Sequence, residues 1–336
     1  MVSLSGLRVT VRVTVRLIEE RPPSTMFLDS STMPERTVER QAQDSRAVGS
    51  QTLAPVLGAT HDGRATVESA RGLLITVLGE FVRPHDGAWT QTLIELMESL
   101  GVQSKATRQS LARLADSGWL ERTKVGRRTR WHLTDTSREL LESGAERIYG
   151  FGQTPRSWDG RWSVILASLP DSHQASRHRL RTRLGWAGYA SFEQGTWISP
   201  WTDHEDDAVH VLDDLGLDMA TSFVAELGQL GSGADIVSRA WKLDVVSAEY
   251  QAFIDTTTRS NEAAGGAATG ADAARRLTLL VHRWRRFPFL DPELPADLLP
   301  ANWPGTPAAR LFASTRAELA GPAQAWWLAS EERFRT

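Results

Sequence analysis

The chain has 336 residues, 41% of them hydrophobic and 24% charged, which suits two or three domains that each bury a core. It contains no cysteine, which excludes a disulfide, a thiolate zinc site and a cysteine nucleophile, and no apolar run approaches the roughly 20 residues that span a membrane. A net charge of −3 argues against a nucleic-acid partner only if the charge is evenly spread, and it is not. Between Ser104 and Leu133, Lys105, Arg108, Arg113, Arg122, Lys124, Arg127, Arg128 and Arg130 face only Asp116 and Glu121. Binding depends on the field at the contacting face rather than on the total charge.

Residues 1–65 read as a leader without stable structure. Pro22, Pro23, Pro34 and Pro55 punctuate it, and the one strand-like alternation, Leu7 to Leu17, has no partner in sequence. Arg8, Arg12 and Arg16 interrupt what would have to be the apolar core of a signal peptide, so the expected compartment is the cytoplasm. Met26 and Met33 are alternative starts.

Helical spacing of Leu73, Leu74, Val77, Leu78 and Phe81 predicts a first helix over Val67 to Val82. Pro84, Asp86 and Gly87 form a turn. A second helix carries Leu93, Ile94, Leu96, Met97 and Leu100, and Gly101 terminates it. A third helix runs from Ser104, read as its N-cap, to about Ser117. Two short strands then meet at Val125-Gly126-Arg127. Helix, helix, helix, hairpin is the order of a winged helix-turn-helix.

After a helix at about Ser137 to Tyr149, a strand at Trp162 to Ser168 and a helix at His173 to Leu184 follow. Strands at Tyr189 to Phe192 and Thr196 to Ile198, a helix at Asp206 to Leu215 and a strand at Thr221 to Leu227 complete β-α-β-β-α-β, the ferredoxin-like order. Trp241 to Asp255 reads as helix, the Ala/Gly-rich Glu262 to Ala274 as flexible, and helix resumes over Ala273 to Phe287 and Ala308 to Arg333. The expected architecture is α+β: an N-terminal winged helix-turn-helix (66–150), a middle ferredoxin-like α/β domain (151–258), a linker (259–274) and a C-terminal helical domain (275–336).

On the third helix Lys105, Arg108, Gln109 and Ala112 share one face, while Ala106, Ser110, Leu111 and Leu114 lie opposite. Arginine pairs with guanine and glutamine with adenine in the major groove, Ala112 lets the face approach closely, and a helix N-terminus at Ser104 offers N–H groups to phosphate. In the hairpin, Lys124, Arg127, Arg128 and Arg130 surround Gly126 as a wing that grips the backbone. A charged helix face alone is usually a solvated surface. Its combination with a basic hairpin at this spacing makes double-stranded DNA the expected partner.

Other patterns are weaker. His204, Asp206, Asp207, His210, Asp213 and Asp214 match no zinc spacing and read as an acidic helix face. Gly228, Gly231 and Gly233 lack the order of a dinucleotide loop, and Asp159 reads as an Asx turn rather than half of a two-metal site. No nucleophile, base and orienting group can be grouped by spacing, so neither catalytic residues nor a metal or cofactor are expected. The competing reading is an enzyme, a nuclease or acyl-CoA hydrolase, with an attached winged helix.

The run Gly101 to Leu120, with Gly126-Arg127 and Leu133-Thr134 after it, resembles the PaaX family of bacterial repressors. The resemblance spans about Ala70 to Ala325 and includes Trp158-Asp-Gly-Arg-Trp162, Gly195-Thr-Trp-Ile-Ser-Pro200, Trp241-Lys-Leu243 and Asp291-Pro-Glu-Leu-Pro295. It implies a repressor of phenylacetic acid degradation genes, released from its operator by phenylacetyl-CoA or a related acyl-CoA. It also implies a homodimer joined through the middle domain. With a polyanionic effector implied, His282, Arg283, Trp284 and Arg286 become candidate effector-binding residues, cations for phosphate and a ring for adenine.

Overall fold

The computed structural model describes residues 69–153, 156–167, 174–217, 219–265 and 270–335, so the expectations for the leader 1–65 lie outside the described residues. In chain order the helices and strands are α1 (Ala70–Val77), β1 (Ala88–Trp89), α2 (Thr90–Ser99), α3 (Ser104–Asp116), β2 (Leu120–Val125), β3 (Arg128–Leu133) and α4 (Asp135–Gly150). There follow β4 (Arg161–Leu166), α5 (Gln174–Trp186), β5 (Ala190–Glu193), β6 (Thr196–Ser199), α6 (Glu205–Asp214), β7 (Thr221–Glu226) and α7 (Gly233–Ala240). The last four are α8 (Leu243–Ala263), α9 (Gly270–Trp284), α10 (Phe287–Leu290) and α11 (Gly305–Arg333). No described helix is long and apolar enough to cross a membrane.

The described residues divide into two compact units, one from 69–153, 243–291 and 301–335, the other from 156–242 and 292–300. In the first, Ser69 caps α1 by accepting from the Gly72 N–H at 3.1 Å. The helix continues into a single π-type turn, Leu78–Val82. Leu73, Leu74, Val77, Leu78 and Phe81 are all buried, as their spacing requires. Gly101 ends the α2 turn with φ +82°, a conformation that costs glycine little. The strands form an antiparallel sheet in the order β1-β3-β2, and Thr134 caps α4 by accepting from the Ser137 N–H at 3.3 Å.

The C-terminal helices do not have a core of their own; they complete this one. The apolar face of α9 (Leu277, Leu280, Val281, Trp284) needs a partner, and α1, α8 and α11 provide it. The Trp284 ring stacks on Phe312 with centroids 4.6 Å apart, and its indole N–H donates to the Ile148 carbonyl at 3.0 Å. Phe81 of the π-type turn stacks on Trp327 of α11 at 5.1 Å. Each fully buried side chain of this size contributes about 1.5–3 kcal/mol from burial. The expected linker at 259–274 is also shorter. Residues up to Ala263 belong to α8 and those from Gly270 to α9, because Phe253, Thr257, Ala273 and Ala274 are buried faces of helices. Alanine-rich composition reads equally as flexible chain or as helix, and tertiary packing decides between them.

The second unit has the expected β-α-β-β-α-β order, with an antiparallel sheet in the order β5-β6-β4-β7. Ile165 and Trp197, paired across β4 and β6, pack with Leu180 and Leu184 of α5 and Val211 and Leu212 of α6. Asp159 closes an Asx turn, its carboxylate accepting from the Arg161 N–H at 3.0 Å. On the other side of the sheet Trp162 meets Trp158 and Trp241, with centroids 5.3 and 6.5 Å away.

Candidate nucleic-acid interface

The helix α3 is fixed by one face and free on the other. Thr107, Ser110, Leu111 and Leu114 are buried, while Lys105, Arg108, Gln109, Ala112 and Arg113 are exposed. Thr107, rather than Ala106, takes the inward position beside Ser110, and small or short residues there let α3 pack closely on α1 and α2. The N-cap is Gln103, with Ser104 the first helical residue, and no side chain caps the helix. Its first-turn N–H groups therefore face outward without a side-chain acceptor, beside Ser104 and Lys105. Such N–H groups, with the positive end of the helix dipole, suit a phosphate oxygen. Among the described residues Lys105, Arg108, Gln109 and Arg113 make no side-chain hydrogen bond or ion pair, so nothing within the chain must be broken for them to engage a partner.

The hairpin behaves differently from its sequence reading. Val125 pairs with Arg128 across a two-residue turn in which Gly126 has φ +60°, the glycine-first geometry of a tight hairpin. Strand alternation then separates the wing cations onto two faces. Arg122 and Lys124 lie opposite Trp131 and Thr129, whereas Arg128 and Arg130 lie opposite Val125 and Thr123. Lys124 and Arg127 are exposed and make no side-chain bond among the described residues. Arg128 is occupied: its guanidinium donates to the Phe334 carbonyl at 2.7 Å. Arg130 sits 5.3 Å from the Trp89 ring and donates to the Asp86 and Gly87 carbonyls, with Glu331 4.0 Å away. Glu331 in turn accepts from the Trp89 N–H at 2.9 Å. Two of the four expected wing contacts thus tie the sheet to the end of α11, while Arg113 and Arg122, counted in the basic excess but not assigned as contacts, are exposed cations. Arg113 lies four residues after Gln109, a helical spacing that marks it as a neighbour on that face.

Three family models match the chain in order: PaaX-like protein over residues 69–137, PaaX protein central Cas2-like domain over 155–237, and PaaX-like protein C-terminal domain over 241–329. The chain belongs to the PaaX family. Among curated PaaX relatives, Transcriptional repressor PaaX from Escherichia coli (strain K12) is 29% identical over 259 residues, 75% of this chain and 80% of that one. Among solved structures, Uncharacterized protein Rv0674 from Mycobacterium tuberculosis superposes with a TM-score of 0.50 at 20% identity, covering 77% of this chain and 99% of that one. The second likeness is one of fold.

In this PaaX-family chain the four candidate effector residues, at the end of α9 and just past it, are not gathered into one open site. Trp284 is fully buried in the aromatic core and shows no face to a ligand. His282 is largely buried, with its Nδ1 3.0 Å from the Thr76 hydroxyl, and burial together with the neighbouring Arg285 holds its pKa down to about 3. It is therefore neutral at physiological pH and offers no charge to a phosphate. Arg283 and Arg286 keep partial solvent contact, and Arg286 pairs with Glu249. Among the described residues no group of three or more His, Asp or Glu is placed to hold a metal. Of the His204 cluster, burial lowers the histidine's pKa, and its Nε2 lies 3.2 Å from Arg156.

Proposed function

We propose that residues 70–133 act as a winged helix-turn-helix, that α3 reads double-stranded operator DNA in the major groove, and that the chain is a transcriptional repressor. The observation that carries this reading is the unpartnered Lys105, Arg108, Gln109 and Arg113 face of α3, on a helix anchored by its opposite side. The curated relative named a transcriptional repressor supports it. Arg108 and Gln109 are assigned to base edges, and Ser104, Lys105, Lys124 and Arg127 to phosphates. Arg128 and Arg130 act by holding the wing.

The effector in this reading is an acyl-CoA, an aryl thioester such as phenylacetyl-CoA, which the family resemblance supports. Arg283 on α9 and Arg286 just beyond it are the residues retained for its phosphates, since they alone of the four are both charged and solvent-reached. The protein works as a cytoplasmic homodimer joined through the ferredoxin-like domain, because paired half-sites supply the contact area that one winged helix lacks. The test is binding to its own promoter fragment. Arg108→Ala and Gln109→Ala should each weaken specific binding by about 1–3 kcal/mol with unchanged unfolding temperature. Phenylacetyl-CoA, but not free coenzyme A, should release the native protein. If both variants bind like the parent, α3 is not the reading element; if no thioester releases the DNA, the effector assignment fails while the DNA reading stands.

A further inference from the structure

One buried charge takes no part in anything described so far. Arg285, the residue that follows α9 and three beyond His282, is 4% exposed, and its Nη1 has no hydrogen-bond partner. Burial lowers its pKa to about 10, which still leaves it cationic at neutral pH. No carboxylate pairs with it among the described residues: Glu249 is held by Arg286, and Glu80 lies 3.8 Å from Arg316. A buried guanidinium without an anion is costly, because it has given up water and received nothing in return.

The same residue lines a cavity of about 40 Å³ among α1, α4 and α9. The other walls are mostly apolar, with Ile75, Leu141, Ala145, Ile148 and Val281 among them; Thr76, whose hydroxyl is engaged by the Gly72 carbonyl and His282, Tyr149 and Glu80 are the polar residues in the lining. Glu80 is 5% exposed and brings a second unpartnered atom, Oε1. Burial raises its pKa above the ordinary carboxylate value, against the opposing pull of Arg316 and Arg83.

We propose that this cavity binds a short-chain monocarboxylate of acetate to propionate size, its carboxylate accepting from Arg285 Nη1 and its alkyl end packed against Ile75, Leu141 and Val281. Charge selects an anion, because only an anion relieves Arg285. Size selects a small one. A single water needs roughly 10–15 Å³, so the space takes about three groups of that size, while the benzene-binding cavity of a well-studied engineered protein measured about 150 Å³. The apolar walls select against phosphate, whose further oxygens would be left without donors. An acyl-CoA is far too large for a space of about 40 Å³, so this site is separate from the effector proposed above and does not depend on the DNA-binding reading.

The test is thermal unfolding of the full chain in sodium propionate, against sodium chloride and sodium phosphate at equal ionic strength. At about tenfold excess over the dissociation constant, propionate should raise the melting temperature by roughly 3–6 °C over chloride, and phosphate should not. Ala145→Leu, which fills the cavity without touching either charge, should abolish the propionate effect. Arg285→Leu should abolish it too, while melting no lower than the parent in chloride. Calorimetric titration of propionate into Ala145→Leu supplies a second readout that does not rely on the Arg285 variant folding. No propionate effect on the native chain, or an effect that survives in Ala145→Leu, overturns the proposal.

Discussion

Removing the cations Lys124 and Arg127 together separates the two kinds of basic residue in the hairpin. Both side chains are exposed and free of partners within the described residues, so their contribution is assigned to phosphate neutralisation. Each phosphate contact contributes about 0.9 to the slope of log affinity against log salt. The double alanine variant should therefore have a slope shallower by about 1.8. Over a rise from about 50 to 200 mM salt, the parent should lose roughly tenfold more affinity than the variant. Arg128→Ala should leave the slope unchanged, because its guanidinium already donates to the Phe334 carbonyl at 2.7 Å. Its cost should appear as lost stability of about 1 kcal/mol, the net worth of one such bond. Fluorescence anisotropy of a labelled promoter duplex across a potassium chloride series measures the slopes, and urea unfolding measures the stability. If Arg128→Ala flattens the slope as much as one of the exposed cations, or if the double variant keeps the parental slope, the division of the wing into gripping and anchoring residues is wrong.

Three further outcomes follow from the first unit. The folded pKa of His282, about 3, lies below its ordinary 6.5, so the unfolded chain binds the extra proton between those values and stability falls as pH drops through that window. By pH 4.5 the parent should lose roughly 3 kcal/mol relative to pH 7.5 that His282→Asn does not lose, read from paired urea titrations. Trp284→Ala should cost about 3–5 kcal/mol in denaturant unfolding, and a cost under about 1.5 would show that the ring is not the centre of the core. Gly87 has φ +93°, and a Cβ there would lie 2.6 Å from the Trp131 carbonyl oxygen, so Gly87→Ala should cost at least about 2 kcal/mol. Gly101→Ala, at φ +82° with open space around it, should cost only about 1–2 kcal/mol, and equal losses at both positions would refute the contact argument.

Local order was readable because it is written in local spacing. The apolar period of Leu73 to Phe81, the punctuation at Gly101 and Gly126, and the apolar run that becomes β4 place their elements to within a few residues. The two-residue strand β1 was missed because Ala88–Trp89 is too short to show a period. What the sequence hides is contact at a distance. Nothing near Arg128 or Arg130 indicates that their partners are Phe334 and Glu331, some 200 residues later, so both read as free wing cations. Trp284 among basic residues resembles an exposed stacking ring, yet it faces the core while Arg283 and Arg286 keep partial solvent contact. Arg285 shows the converse: a charged residue lies buried because Val281, four residues before it on the same helical face, is core.

The first unit is interrupted in sequence by the second, and this sets a schedule for its synthesis. When α1 leaves the ribosome, α9 is still about 200 residues away, which at 5–20 residues per second is a delay of roughly 10–40 s. During that interval Leu73, Leu74 and Phe81 have no α9 or α11 to cover them, while the ferredoxin-like unit, apart from its short 292–300 segment, has already been made. The N-terminal helices must wait as exposed apolar surface, a natural client for a chaperone. A chain stopped before Gly305 never receives the helix that anchors the wing. Only a chain translated through Phe334 carries the carbonyl that holds Arg128.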